Sequence, residues 1–129
     1  MPEELNGDEK SILILQTSGL REPKRTYAPL YLATSAAYMD IDVEIWFTME
    51  GVTLLRAGAA QQVELVPGSG ITLKTWFDRA REAGVRFTVC AQALEAEDFS
   101  LDDIEEECEV AGAASIVDRM FQVDRVMYF

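Results

Sequence analysis

The sequence predicts an α/β fold with a mainly parallel sheet of about five strands and helices on both faces of the sheet. Two observations lead to this prediction. Short apolar segments typical of buried strands alternate along the chain with stretches that have the periodicity of amphipathic helices. Strands that alternate with helices form right-handed βαβ units, in which the strands run parallel.

The predicted strands are short and spread evenly along the chain. Their apolar runs or alternating patterns are those of strands buried in a sheet. They cover residues 11–16, 43–47, 85–90, 109–111 and 125–129. The predicted helices lie between them, at residues 26–39, 73–83, 91–94 and 113–122. We expect a short helical turn at residues 52–55 and mostly loop at residues 56–70.

Two of the helices have well-marked apolar faces. In the first, the Thr72 hydroxyl is expected to cap the start and Gly84 to end the helix. Its apolar stripe consists of Leu73, Trp76, Phe77 and Ala80. The helix over residues 113–122 is expected to turn four side chains toward the core: Ile116, Val117, Met120 and Phe121.

The amino-terminal segment MPEELNGDEK is polar and acidic. We expect residues 1–10 to form a flexible tail before a single domain over residues 11–129, since a chain of 129 residues fits one domain. The segment lacks the charge and apolar pattern of a signal peptide, and no apolar run approaches the length of a membrane span. Two cysteines are too few for a disulfide framework. The sequence therefore favours a cytoplasmic protein without a membrane partner.

Composition excludes several kinds of site. The 11 basic and 23 acidic residues give a formal charge of −12, which repels nucleic acids, so direct binding to nucleic acid is not expected. The chain contains no histidine and no CxxC motif, which removes the commonest metal ligands and every Cys–His catalytic pair. We therefore expect no metal and no cofactor. Cysteine, carboxylate, Lys, Arg, Tyr and backbone groups remain for any chemistry.

Cys90 is the candidate reactive group. It ends the third predicted strand and precedes a predicted helix, whose free N–H groups favour a thiolate. Ligands of parallel sheets bind beyond the carboxyl ends of the strands, and Cys90 lies at that edge. An inert, packed cysteine is an equally good interpretation of the position alone, because cysteine is among the most buried residue types.

Cys108 is expected to be the less reactive thiol. It lies in the sequence EEECEV, where the neighbouring carboxylates oppose ionisation. Because Cys90 ends one strand and Cys108 begins the next, parallel strands would place the two thiols at opposite ends of the sheet. They would then be too far apart for a disulfide.

Three charged or polar segments complete the candidate features. The basic loop Arg21, Lys24 and Arg25 opens on the same edge as Cys90, where it is suited to stabilise a thiolate; a solvated loop is the alternative. The segment GSGITL has two glycines of a nucleotide-binding motif but lacks the third, so we interpret it as a flexible loop with a helix cap. Nine acidic residues lie between Glu95 and Glu109. The capping-box sequence SLDD lies in the same segment. We predict that the acidic residues form a solvated helix face, with a docking surface as the alternative.

Over residues 11–129 the sequence resembles the DsrE/DsrF-like family. The resemblance is carried by the segments FTMEGVTLL, AGVRFTVC and VAGAASIVDRM. It implies a three-layer α/β/α sandwich of DsrEFH-like, flavodoxin-like architecture that assembles into homo-oligomers. The apolar final segment RVMYF also favours self-association. Better-studied relatives carry sulfur as a cysteine persulfide and pass it between proteins, and Cys90 matches the family's cysteine after the third strand.

The leading hypothesis is a sulfur carrier, or sulfurtransferase-like protein, that holds sulfane sulfur on Cys90. It would receive the sulfur from a donor protein and pass it to an acceptor thiol. The candidate residues for binding the sulfur or its donor are Thr48, Gln92, Arg21, Lys24 and Arg25. The alternative is a non-catalytic oligomeric binding or scaffold module of the same fold, in which Cys90 is only structural.

Overall fold

The computed structural model describes residues 10–98 and 100–129, so most of the predicted tail lies outside the described residues. The strands are β1 (Ser11–Gln16), β2 (Asp42–Phe47), β3 (Arg86–Cys90), β4 (Glu109–Ala111) and β5 (Arg125–Tyr128). The α-helices are α1 (Ala28–Tyr38), α2 (Leu73–Ala83), α3 (Ala91–Ala96) and α4 (Ala113–Met120). Short 3-10 helices lie at Pro23–Arg25, Met49–Leu55, Ala60–Gln62 and Leu101–Asp103.

The strands form one parallel sheet in the order β4-β3-β2-β1-β5. The first two strands pair in register from Ser11 with Asp42 to Gln16 with Phe47. Since every pairing is parallel, the carboxyl ends of the strands meet at one edge. The predicted α/β class with a parallel sheet is confirmed.

One face of the sheet is covered by α1 and α2, which also pack against each other. The centre of this layer is a set of three aromatic rings. Phe47 lies 5.8 Å from Phe77 and 5.6 Å from Phe87, measured between ring centroids. Gly84 ends α2 with φ 101°, a left-handed conformation that suits glycine, as the sequence predicted. Thr72 occupies the cap position of α2, but its hydroxyl makes no capping hydrogen bond.

The opposite face of the sheet carries α4, which joins the two edge strands β4 and β5 and therefore crosses the sheet. Within the described residues, the helical side chains that pack on this face come from α4. Ile116 and Met120, one turn apart, contact the sheet. The buried apolar side chains beneath them are Leu13, Leu15 and Trp46.

The orientation predicted for α4 is partly wrong. Ile116 and Met120 face the sheet, but the Val117 side chain is 54% exposed and Phe121 is 88% exposed. Ile116 and Met120 form the narrow stripe that touches the sheet, whereas each following residue is turned about 100° further round the helix. Since no second helix of the described chain packs beside α4, the flank of α4 with Val117 and Phe121 stays open.

The acidic segment is held by the fold more tightly than predicted. Ser100 and Asp103 form the predicted capping box, but the helix that it opens is only Leu101–Asp103. Most acidic residues of the segment are exposed, as predicted, but Glu106 is buried, with 4% of its surface exposed. Its carboxylate pairs with Lys74 Nζ at 2.7 Å and with Arg81 Nη1 at 3.1 Å, so two cations of α2 compensate its burial.

The glycine-rich loop is closed by a carboxylate of the chain itself. The backbone N–H groups of Gly68 and Gly70 donate hydrogen bonds to Glu64, at 3.1 and 2.8 Å. A turn brings Ser69 N within 3.0 Å of the Val66 carbonyl oxygen. These amides are therefore occupied by Glu64 and do not form an open phosphate cradle.

Candidate functional site

The carboxyl edge of the sheet is built by two loops in backbone contact. A Cβ atom at Gly19 would lie well inside 3.0 Å of the Glu50 carbonyl oxygen, and one at Gly51 equally close to the Gln16 carbonyl oxygen. Only glycine fits at such distances, because the opposing atoms belong to the backbone and cannot turn away. The loop after β1 and the 3-10 helix after β2 are thereby fixed to each other at this edge.

Cys90 lies at this edge as the last residue of β3 and the cap residue of α3. It is a free cysteine with 5% of its surface exposed. Its Sγ donates a hydrogen bond to Gln92 Oε1 at 3.4 Å. Gln92 is an exposed residue of α3, so the sulfur of a buried cysteine is in contact with the side chain of an exposed residue.

Of the predicted site residues, the structure brings Gln92 into contact with Cys90. Thr48 is half-buried between β2 and the following 3-10 helix, and its backbone N–H donates to the Gln16 carbonyl oxygen at 3.0 Å. Arg21 is 78% exposed in its side chain and pairs with Glu50 at 2.9 Å. Within the described part of the chain, no hydrogen bond or ion pair joins Thr48 or Arg21 to the sulfur.

The basic loop reaches the same edge as Cys90, since Arg21 pairs with Glu50 in the 3-10 helix that follows β2. Lys24 and Arg25 belong to the 3-10 helix Pro23–Arg25 and are exposed. Exposed ion pairs such as Arg21–Glu50 contribute little to stability, because water screens them. The loop therefore offers cationic groups to solvent near the edge.

Cys108 lies at the other end of β3 and β4. The register pairs Thr88 with Glu109 and Cys90 with Ala111, so Cys108 precedes the level of Cys90 by three residues. Three residues span about 10 Å along a strand, whereas a disulfide needs Cα atoms within about 7 Å. A cavity of about 330 Å³ opens beside Cys108 at this amino end of the sheet.

The thiol of Cys108 is held in its neutral form mainly by burial. Burial raises the pKa of the Cys108 thiol above its usual range, the charge of Glu106 raises it further, and Arg81 opposes the shift. The sequence predicted the weaker acidity from neighbouring carboxylates alone. In the structure, loss of water around the sulfur is the larger cause.

Sequence reasoning missed a buried carboxylate on the α4 face of the sheet. Glu44 is 5% exposed. It accepts hydrogen bonds from Thr88 Oγ1 at 3.0 Å and from Arg119 Nε at 2.9 Å. The signal in the sequence is a glutamate inside the otherwise apolar segment VEIWF. Its partner on α4 is remote in sequence and cannot be paired with it from local pattern.

A metal site needs a cluster of ligands, and a membrane span needs a long apolar helix. In residues 10–98 and 100–129, no three Cys, Asp or Glu side chains cluster as a metal ion would require. No helix in the same residues is both long and apolar enough to cross a membrane.

The family is decided by a match over nearly the whole chain. The sequence profile of the DsrE/DsrF-like family matches residues 10–129. The chain belongs to this family. The match includes every strand of the sheet, together with Cys90 and Gln92. No curated protein matches the chain at a significant level.

Solved structures share the fold of this DsrE/DsrF-like chain. The YchN protein from E. coli has a TM-score of 0.76 and 16% identity and covers 93% of this chain and 99% of its own. MTH1491 from Methanobacterium thermoautotrophicum, a protein of unknown function, has a TM-score of 0.64, 18% identity and coverage of 93% and 99%. BT1422 from Bacteroides thetaiotaomicron, also of unknown function, has a TM-score of 0.64, 10% identity and coverage of 98% and 100%. Identities this low establish a common fold only.

Proposed function

We propose that this DsrE/DsrF-like protein is a sulfur carrier in which Cys90 holds sulfane sulfur as a persulfide. The observation that carries the proposal is a free thiol at the carboxyl end of an interior strand, in contact with a side-chain amide. Chemistry in parallel α/β sheets is concentrated at that end of the strands. Membership of a family with sulfur-relay members supports the same reaction.

The proposed transfer needs no oxidant and no cofactor. The Cys90 thiolate attacks the terminal sulfur of a donor persulfide, R–S–SH. A bond forms between Sγ and that sulfur, the donor's S–S bond breaks, and its electron pair leaves with the donor as R–S⁻. The transferred sulfur keeps its proton. An acceptor thiolate then attacks the outer sulfur, and Cys90 leaves as the thiolate.

The surrounding residues support this proposal in different ways. The Gln92 amide has both an acceptor and a donor, so it is able to bind the thiol and, after rotation, an anionic sulfur. Arg21, Lys24 and Arg25 are proposed to attract an anionic donor to the edge, and Thr48 to line it. Donor and acceptor would be thiol proteins of a reducing cytoplasm, where Cys90 and Cys108 stay unpaired.

A second candidate function is favoured by the burial of the sulfur. With 5% of Cys90 exposed, the thiol has the environment of a packed core residue. The protein would then be a non-catalytic oligomeric module that binds or scaffolds partners. The two functions differ in one measurable property, which is the ability of Cys90 to take up sulfur.

Loading with sulfane sulfur tests the proposal directly. After incubation with polysulfide, we expect intact-mass spectrometry to show a gain of one sulfur, about 32 Da, in wild type and Cys108→Ser. Cys90→Ser is expected to show no gain, because the raised pKa of the remaining Cys108 thiol keeps it in its unreactive neutral form. Equal loading of both single variants, or no loading of folded wild type by several donors, would favour the scaffold module.

Self-association is the second prediction that accompanies the proposed function. Apolar side chains are exposed along α4 and the edge strand β5: Val117, Phe121, Val126 and Tyr128. Burying such a patch against another copy is favourable, so we expect light scattering at micromolar concentration to show an oligomer. Phe121→Glu is expected to shift the population toward monomer, whereas Tyr38→Glu, at an exposed aromatic of α1, is not. A wild-type protein that is purely monomeric would contradict the prediction.

A further inference from the structure

We infer that the Gln92 side chain is a gate that controls access of sulfur donors to Cys90. This inference rests on the proposed function, since it concerns the same thiol. By gate we mean that the amide of Gln92 covers the sulfur in the structure described and has to move before a donor can reach it. Gln92 is then a positioning and access residue, in addition to a hydrogen-bonding partner.

The first observation is the contact between the Gln92 amide and a buried sulfur. Gln92 Oε1 lies 3.4 Å from Cys90 Sγ, Cys90 is 5% exposed, and Gln92 is exposed. A donor must bring its terminal sulfur to bonding distance of Sγ. The amide occupies part of that approach, so a reaction at Sγ requires the side chain to rotate.

The second observation is the space on the other side of the amide. A Cβ atom at Gly112, the cap residue of α4, would lie 3.7 Å from Gln92 Nε2 and 3.9 Å from its Oε1. Gly112 has φ −96°, which any residue can adopt, so the backbone itself does not require glycine. The missing side chain instead leaves free space next to the amide, into which the amide can turn.

The direction of the hydrogen bond links rotation of the Gln92 amide to ionisation of the Cys90 thiol. The neutral thiol donates its proton to Gln92 Oε1, and this bond holds the gate closed. A thiolate has no proton to donate, so the amide oxygen then faces a negative charge and is repelled. Rotation of the amide either places its Nε2 donor toward the anion or clears the approach. The ionised sulfur, which is the nucleophile, is therefore the form that opens the gate.

Alkylation kinetics test the gate without using sulfur transfer. All variants carry Cys108→Ser, so that iodoacetamide reports on Cys90 alone. Gln92→Ala is expected to react on the order of fivefold faster, the effect of losing one hydrogen bond together with the obstructing amide. Gly112→Ala is expected to react about twofold slower, because its methyl group limits the rotamers open to Gln92. The increase in alkylation rate caused by Gln92→Ala should be larger for a bulkier maleimide than for iodoacetamide.

Two controls separate a gate from general loosening. Glu95→Ala removes another exposed side chain of α3 and is expected to leave the rate unchanged. The acceleration in Gln92→Ala should not increase in low urea, because opening a side chain exposes little surface. An unchanged rate in Gln92→Ala would overturn the inference, and so would an acceleration that grows with urea.

The gate and the proposed function can fail separately. If Gln92→Ala speeds alkylation but neither it nor wild type takes up sulfur, the gate stands and the sulfur-carrier function is wrong. If wild type takes up sulfur on Cys90 while Gln92→Ala alkylates at the wild-type rate, the function stands and the gate is wrong.

Discussion

Replacing Arg119 with methionine is expected to lower the free energy of unfolding by about 3 kcal/mol. The substitution leaves the Glu44 carboxylate, 7% exposed in its side chain, without the Arg119 Nε hydrogen bond of 2.9 Å. Removing one partner of a buried ion pair typically costs about 3–5 kcal/mol, since the other charge stays desolvated. The lower end of this cost applies here, because Arg119 is 25% exposed and because Arg86 Nη1, 4.0 Å from Glu44, still offers the carboxylate a positive charge.

Urea denaturation of matched variants measures this effect. Arg125→Met removes an exposed arginine of β5 and is expected to change stability by less than about 0.5 kcal/mol. The double variant Glu44→Leu with Arg119→Met should recover much of the loss, because it leaves no unpaired charge at the interface. If Arg119→Met is as stable as Arg125→Met, the ion pair does not anchor α4.

The parallel sheet and the position of Cys90 could be predicted because both depend on local pattern. The segment 11–16 has an uninterrupted apolar centre at residues 12–15 and coincides with β1. In a sheet of alternating strands and helices, a residue that ends β3 must lie at the carboxyl edge. The helix boundaries also followed from local signals, as with Gly84 at the end of α2.

Apart from the missing hydrogen bond of the Thr72 cap, the failures concern partners that are distant in sequence. Val117 and Phe121 directly follow the residues that contact the sheet, and local pattern cannot show that no second helix of the described chain packs beside α4. The acidic run gave no sign that Glu106 turns inward to Lys74, which lies 32 positions earlier. Glu44 and Arg119 are 75 positions apart. Charge pairs of this kind are set by tertiary packing and not by local pattern.

Gly51→Ala is expected to destabilise the protein by at least about 3 kcal/mol, the upper range for overpacking. The new methyl group would lie well inside 3.0 Å of the Gln16 carbonyl oxygen. That oxygen belongs to β1 and accepts the Thr48 N–H at 3.0 Å, so it cannot move without breaking the junction between the two strand ends. The 3-10 helix Met49–Leu55 has to shift instead.

The same shift should be felt at Cys90, since Met49–Leu55 contacts both β3 and α3. We therefore expect Gly51→Ala to lower the midpoint of urea unfolding and to speed alkylation of Cys90. For the unfolding measurement alone, Gly112→Ala is the matched control, because its Cβ meets only ordinary contacts at 3.7 Å and its backbone is unstrained. If the free energies of unfolding of Gly51→Ala and Gly112→Ala agree within about 0.5 kcal/mol, this edge tolerates the new methyl group as an exposed site would, and the junction is not rigid. The glycine contact would then not be what holds the loops around Cys90 in place.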